Sequence, residues 1–394
     1  MAEARAVPSF ARLVLVALVW CLALPAFVAG AETVEKDAPL PTLDLDLLGS
    51  SAWDANSTLA SRAGDNLRWA LDGSARLGWS TSEAEWIGVE AIGLDAFTVV
   101  PGTTRDWLRI NVQLYAVRAD IGQSHPWAFD GEGRWRFQPR NTFLDALLLP
   151  RERLTWRIGH YELPWGIEAR IDTNGTLRQY NSARDLGIKT DWGTALTGRL
   201  GTAATPRGIG ALEWIVSLSR GSGNQWHGGD APWLALGRLA TPGDRSAGVG
   251  FGLAGGEVRV AGQAPAQPRW RLVLDGYWNW RRLELRGEIA GGRNGTTGAA
   301  AAAESTPSSY ITAVVETDLR LREDTLLGYL QLLPRWQRVG ERGTMELELR
   351  SGLLWRLLPG LAFSAEIRQV AAAGDLQEHP TTLFTQIRYR RGGA

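Results

Sequence analysis

The sequence has one cysteine, Cys21, inside an apolar run near its start. With no second thiol the chain closes no internal disulfide, and its stability must come from another source. Lysine is almost missing, with Lys36 and Lys189 the only two, so arginine carries nearly all the positive charge. Basic and acidic residues balance at 42 each. A formal charge of zero gives no reason to expect nucleic acid, whose binders show a clear basic excess. His125, His160, His227 and His379 are scattered, and none has a second His or Cys at metal-ligand spacing. No metal and no cofactor is expected. Beyond residue 31 no stretch approaches the roughly 20 apolar residues of a spanning helix.

What is there begins with Arg5, Arg12, an apolar run over 13–24, Pro25 and then Ala29-Gly30-Ala31. This pattern predicts an export signal over 1–31, cleaved after Ala31. Residues 32–41 are charged and carry proline, and read as a periplasmic lead-in; 42–394 is the remaining domain. That domain is rich in tryptophan: the chain has 19, against seven tyrosines and nine phenylalanines. Tryptophan favours the membrane–water interface, where an apolar ring and one N–H donor are both accommodated.

Alternation dominates the rest. In 67–80, Leu67, Trp69, Leu71, Ala75, Leu77 and Trp79 share one face, while Arg68, Asp72, Ser74, Arg76 and Ser80 share the other. The same pattern recurs in 107–118, 142–149, 153–162, 192–200, 211–219, 233–240, 249–260, 270–279, 283–289, 310–321, 325–339, 345–355, 361–370 and 383–390. A short strand is also expected over 43–47. The length of these segments and their polar opposite faces fit tilted strands crossing a bilayer. The count is sixteen to eighteen, and sixteen is the expected number. The predicted fold is an all-β transmembrane antiparallel barrel, and a barrel of that size encloses a water-filled lumen.

One connection stands out. Residues 153–194 begin and end as strands but hold about two dozen residues between them, broken by Pro164, Gly166, Gly175 and Gly187. A long polar loop between two alternating strands suits a constriction folded into the lumen. The candidate residues there are Arg153, Arg157, Glu168, Arg170, Asp172, Arg178, Arg184, Asp185, Lys189 and Asp191. On the lumen wall, Arg109, Arg271, Arg286 and Arg350 share the inward phase with Asp275, Glu284, Glu288, Glu346 and Glu348. Such charges either set up a transverse field or pair with one another and solvate the wall.

The segments 141–166 (NTFLDALLLPRERLTWRIGHYELPWG), 274–290 (LDGYWNWRRLELRGEIA) and the closing strands from Met345 resemble bacterial outer-membrane porins, most closely the phosphate-selective group. The resemblance implies an outer-membrane location in a Gram-negative bacterium, a homotrimer, contact with outer-membrane lipids, and passive diffusion of small hydrophilic solutes or ions. Phosphate selectivity is not carried over, because Glu168, Asp172, Asp185 and Asp191 balance the basic residues of the central loop. The chain also departs at its end, where Tyr389 is followed by further residues rather than being terminal.

A barrel sheath around a haem-bearing electron-transfer partner is the main alternative; the chain has no Cys-x-x-Cys-His motif, so any haem belongs to that partner. An outer-membrane hydrolase would use Ser222, Asn224 and His227, whose geometry spacing alone does not fix. No enzyme activity is expected. A soluble glycan-binding β protein has nowhere to bury so many long strands with polar opposite faces.

Overall fold

The computed structural model describes residues 67–80, 86–102, 106–120, 135–149, 154–167, 177–178, 186–200, 212–223, 232–242, 246–259, 266–295, 308–322, 325–339, 342–372 and 381–393. Most of these are strand. In chain order they are β1 (Leu67–Ser80), β2 (Trp86–Pro101), β3 (Asp106–Asp120), β4 (Arg136–Pro139), β5 (Thr142–Leu149), β6 (Leu154–Glu162), β7 (Thr190–Leu200), β8 (Leu212–Ser219) and β9 (Leu234–Ala240). Then come β10 (Ala247–Val258), β11 (Gln267–Trp280), β12 (Leu283–Asn294), β13 (Ser308–Arg322), β14 (Leu326–Val339), β15 (Arg342–Leu358), β16 (Leu361–Ala372) and β17 (Thr381–Gly393). The strand expected over 43–47 and the export signal lie outside the described residues.

Neighbours in sequence are neighbours in the sheet, all antiparallel, and β17 returns to β1 in register from Trp69↔Gly393 to Ser80↔Thr382. β4 and β5 both pair with β3, so they form one stave interrupted at Arg140 and Asn141, and the closed barrel has sixteen staves. Closure leaves no strand edge unpaired. The interruption is itself bonded. Arg140 N donates to Gln113 O (2.9 Å), Gln113 N donates to Asn141 O (3.0 Å), and Glu162 N donates to the Asn141 side-chain oxygen (2.8 Å). His160 Nδ1 donates to the Arg140 carbonyl (2.8 Å), with its ring against Trp192.

The period-two pattern decides which way each side chain points. On β1, Leu71 and Leu77 are exposed outside while Asp72 is buried inside; β3 and β11 repeat this with Leu114 over Asn111 and Leu272 over Arg271. β2 is the strand that alternation does not single out. Its inner face carries Val89 and Ala91, packed with Tyr115 and Val117, so both faces are apolar and the contrast is lost.

Connections are short at the end where β1 starts and β17 finishes, as in 281–282, 323–325 and 359–360, and long at the other, as in 163–189 and 295–307. Residues 201–211 and 340–341 are the exceptions. Outward tryptophans mark both ends. Trp69, Trp156, Trp214, Trp280 and Trp355 lie toward the short-turn end; Trp79, Trp135, Trp192, Trp233, Trp270 and Trp336 lie toward the other. Trp69 and Trp79 are ten positions apart on one face of β1. At about 3.3 Å per residue and a tilt near 40°, that separation is roughly 25 Å along the barrel axis, the height of an outer-membrane apolar band.

Candidate functional site: the interior of the barrel

The inner face is built outward from the connection between β6 and β7. Its base is closed by Leu163 N donating to Lys189 O (2.9 Å) and by the Lys189–Glu162 ion pair (3.2 Å). Trp165 comes next, fully buried, and its indole lies over Gly252 of β10 beside Val273 of β11. The inner phase of β10 runs Gly248, Gly250, Gly252, Ala254, and this bare backbone leaves room for the ring. Gly166 has φ 57°, and a Cβ there would overlap the Glu288 carboxylate of β12, so the turn takes glycine for both reasons. Ile167 N donates to Glu288 Oε2 (2.7 Å), and the Ile167 side chain packs with Val314 of β13 and Leu333 of β14. In the stave order β14 stands eight places from β6 in either direction. The connection therefore crosses the interior to the opposite wall.

Its far part is held by charge. Arg178 donates to Glu316 (3.0 Å) and Asp318 (2.5 Å) on β13, and its guanidinium lies over the Tyr329 ring. The Leu177 carbonyl accepts from Arg368 of β16 (3.0 Å), and the Leu186 carbonyl accepts from Arg269 of β11 (2.9 Å). On the return, Asp191 accepts from Trp192 N (2.9 Å) and Gly221 N (2.5 Å), tying the start of β7 to the segment after β8. Phe143, Tyr161, Leu163, Trp165, Leu186 and Ile188 form one apolar cluster with inward residues of β7 to β12. One side of the interior is thus a packed apolar core.

The remaining wall is polar, and its charges are paired. Three strands carry a Glu-x-Arg triplet in the inward phase: Glu284/Arg286 (2.7 Å), Glu348/Arg350 (2.8 Å) and Glu366/Arg368. Two residues on along a strand is the same face, so each glutamate sits beside its own arginine. Other pairs cross between staves. Arg388 of β17 holds Asp72 of β1 (2.8 Å), Arg390 holds Asp95 of β2 (3.0 Å), and Arg238 of β9 grips Asp275 of β11 at both oxygens (2.5 and 2.7 Å) above Gly250. Tyr115 lies across Gly93 to reach Asp72 (3.0 Å), and Tyr329 lies across Gly352 to reach Glu366 (2.6 Å).

Against that geometry the sequence-derived candidates divide. Arg157 is buried on β6, bonded to Asp145 at both oxygens (2.7 and 2.8 Å) and stacked on Phe143. Arg286 bonds Glu284 and Glu316, while Arg350 is buried against Glu348. Arg271 donates to the Trp270 and Arg293 carbonyls (2.8 Å each) over the Tyr310 ring. Arg109 faces Asp145 across β3–β5, and Glu346 faces Arg335 across β14–β15. Arg153, Glu168, Arg170, Asp172, Arg184 and Asp185 lie outside the described residues, as do Asn224 and His227; Ser222 is buried next to the Asp191 cap. Among the described residues no three His, Cys, Asp or Glu side chains are grouped to hold a metal ion.

Sequence reasoning missed Asp72, Asp95, Glu316, Asp318, Arg368 and Arg388. The repeated E-[LI]-R triplets would have found Glu366 and Arg368, and the G-x-G-x-G of β10 marks the seat of Trp165.

No family model and no curated protein sequence matches this chain. Solved structures do match. OmpF of Salmonella typhi, in complex with daunomycin, aligns at TM-score 0.57 and 13% identity over 83% of this chain and 98% of its own. The anion-selective porin from Comamonas acidovorans aligns at 0.55 and 12%, over 82% and 98%. The trimer form of OmpT, an outer-membrane protein of Vibrio cholerae, aligns at 0.54 and 8%, over 82% and 99%. The likeness is one of fold: the closed sixteen-strand antiparallel barrel of outer-membrane porins.

Proposed function

We propose that the chain is a porin of the bacterial outer membrane, a homotrimer through which small hydrophilic solutes and ions diffuse passively, after export on a signal over 1–31. The observation that carries this reading is the opposition of faces: an apolar outer band between two tryptophan girdles, around a wall of paired charge. A lipid-facing outside and a wet inside are what a diffusion channel needs. The β6–β7 connection acts as the constriction, since it crosses from β6 to β14 and confines solutes to the polar wall running from β14 through β17 and β1 to β3. The same crossing speaks against a sheath, because a barrel that encloses a folded partner needs its interior clear.

Single-channel recording of the purified protein in a planar bilayer tests it. Stable ohmic steps are expected, and removal of 168–185 should enlarge them. Folded barrels that stay silent would overturn the reading. Chemical cross-linking in mild detergent should stop at the trimer; a product limited to monomer would remove that part of the proposal.

A further inference from the structure

Along the middle of the inner wall Arg388 is paired with Asp72, Arg157 with Asp145 and Arg350 with Glu348. Such pairs are dipoles, whose fields fall off faster than those of single charges, so they wet the wall without giving it a sign.

The lip at the short-turn end differs. Arg282 lies in the two-residue turn between β11 and β12, and its carbonyl accepts from Arg320 N (2.9 Å). That bond carries the β12–β13 ladder one step past the Leu283↔Leu319 pair, so the two arginines stand opposite each other. Both continue the inward phase of Glu284 and Arg286 on β12, and of Glu316 and Asp318 on β13. Arg322 follows beyond a register shift and is exposed. The nearest carboxylates in register are engaged elsewhere: Glu284 with Arg286 (2.6 Å), and Asp318 with Arg178 and Arg286 (2.5 and 3.5 Å). Among the described residues Arg282, Arg320 and Arg322 make no ion pair. Arg281 sits over the Trp280 ring on the outer side. Like charges opposed across an antiparallel ladder, with Cβ atoms about 5 Å apart, repel unless an anion screens them.

We propose that this lip is the charge filter of the channel: Arg282, Arg320 and Arg322 draw small anions into the short-turn mouth and make the pore anion-preferring. The inference rests on the porin reading above. A mouth potential of about one kT raises the local ratio of monovalent anion to cation roughly sevenfold. Its range is set by salt, about 30 Å at 0.01 M and about 3 Å at 1 M. A lip filter therefore favours anions in dilute salt and loses that preference in concentrated salt.

The experiment is the reversal potential of the full protein in planar bilayers under a KCl gradient, near 0.01 M and again near 1 M. Chloride should be favoured by about fivefold in dilute salt and hardly at all in concentrated salt. The variant R282Q/R320Q/R322Q should abolish the preference, and R282E/R320E/R322E should turn it toward potassium. Ohmic steps in concentrated salt show that each variant barrel is intact. Conducting variants with an unchanged reversal potential, or a chloride preference that persists near 1 M, would overturn the lip filter alone. Absence of any conductance in the unmodified protein would overturn the pore itself.

Discussion

Single residues in this barrel are set by what lies across from them. Arg157 was a candidate for a bare basic stripe, yet it is bonded twice to Asp145. Asp145→Asn should cost about 3 kcal/mol, because it strands a buried guanidinium; replacing both partners, as D145L/R157M, should recover most of that loss. Urea unfolding of the refolded barrel reads both values. Gly166 is constrained more tightly, by its φ of 57° and by the Glu288 carboxylate beside it. Gly166→Ala should cost about 1–2 kcal/mol in backbone strain and displace Glu288 from Ile167 N. The expected sign is a noisier open channel, and an unaltered noise spectrum would show that the turn tolerates the change.

At the scale of elements, the β6–β7 connection is fixed at two kinds of contact. Trp165 seats it in the apolar cluster, while Arg178 latches its far part to β13. Arg178→Ala should give larger, fluctuating conductance steps with little change in overall thermal unfolding, since the ladder hydrogen bonds hold the barrel without the connection. Trp165→Ala removes a buried indole and should loosen the docking by about 3–5 kcal/mol, read as faster proteolysis within 163–189. Much of this level was legible beforehand. The alternation of Leu71, Asp72 and their neighbours fixed strand phase, and the length of 153–194 marked the unusual connection. β2 was hidden because Val89 and Ala91 made its inner face apolar too, a choice that makes sense only beside Tyr115 and Val117 of β3.

For the whole molecule, the outward band is apolar and has the height of a bilayer, while the inner face carries both a packed apolar cluster and a wall of paired charge. Two substitutions one residue apart on β1 separate those properties. Gly73→Arg places a charge near the middle of the outer face, between Ile92 and Tyr389 in register, and should cost about 2–4 kcal/mol, whereas Ser74→Asp on the inner face, across from Arg388, should be tolerated. Folding yield into lipid vesicles compares the two directly, and equal yields would remove the lipid from the outer face.

The sequence alone determined the barrel, because a period of two is a local property: on strands whose two faces differ in polarity, each residue declares its face without reference to any other strand. It also determined the girdles, since tryptophan at strand ends needs only strand phase to be read. What the tertiary structure decided was pairing. Which arginine meets which acid depends on register between staves up to hundreds of residues apart, as for Arg388 with Asp72, and on glycines that let a side chain lie across a neighbour. The paired charges of the wall, and the facing of Arg282 and Arg320 at its lip, follow from that register and from nothing shorter in range.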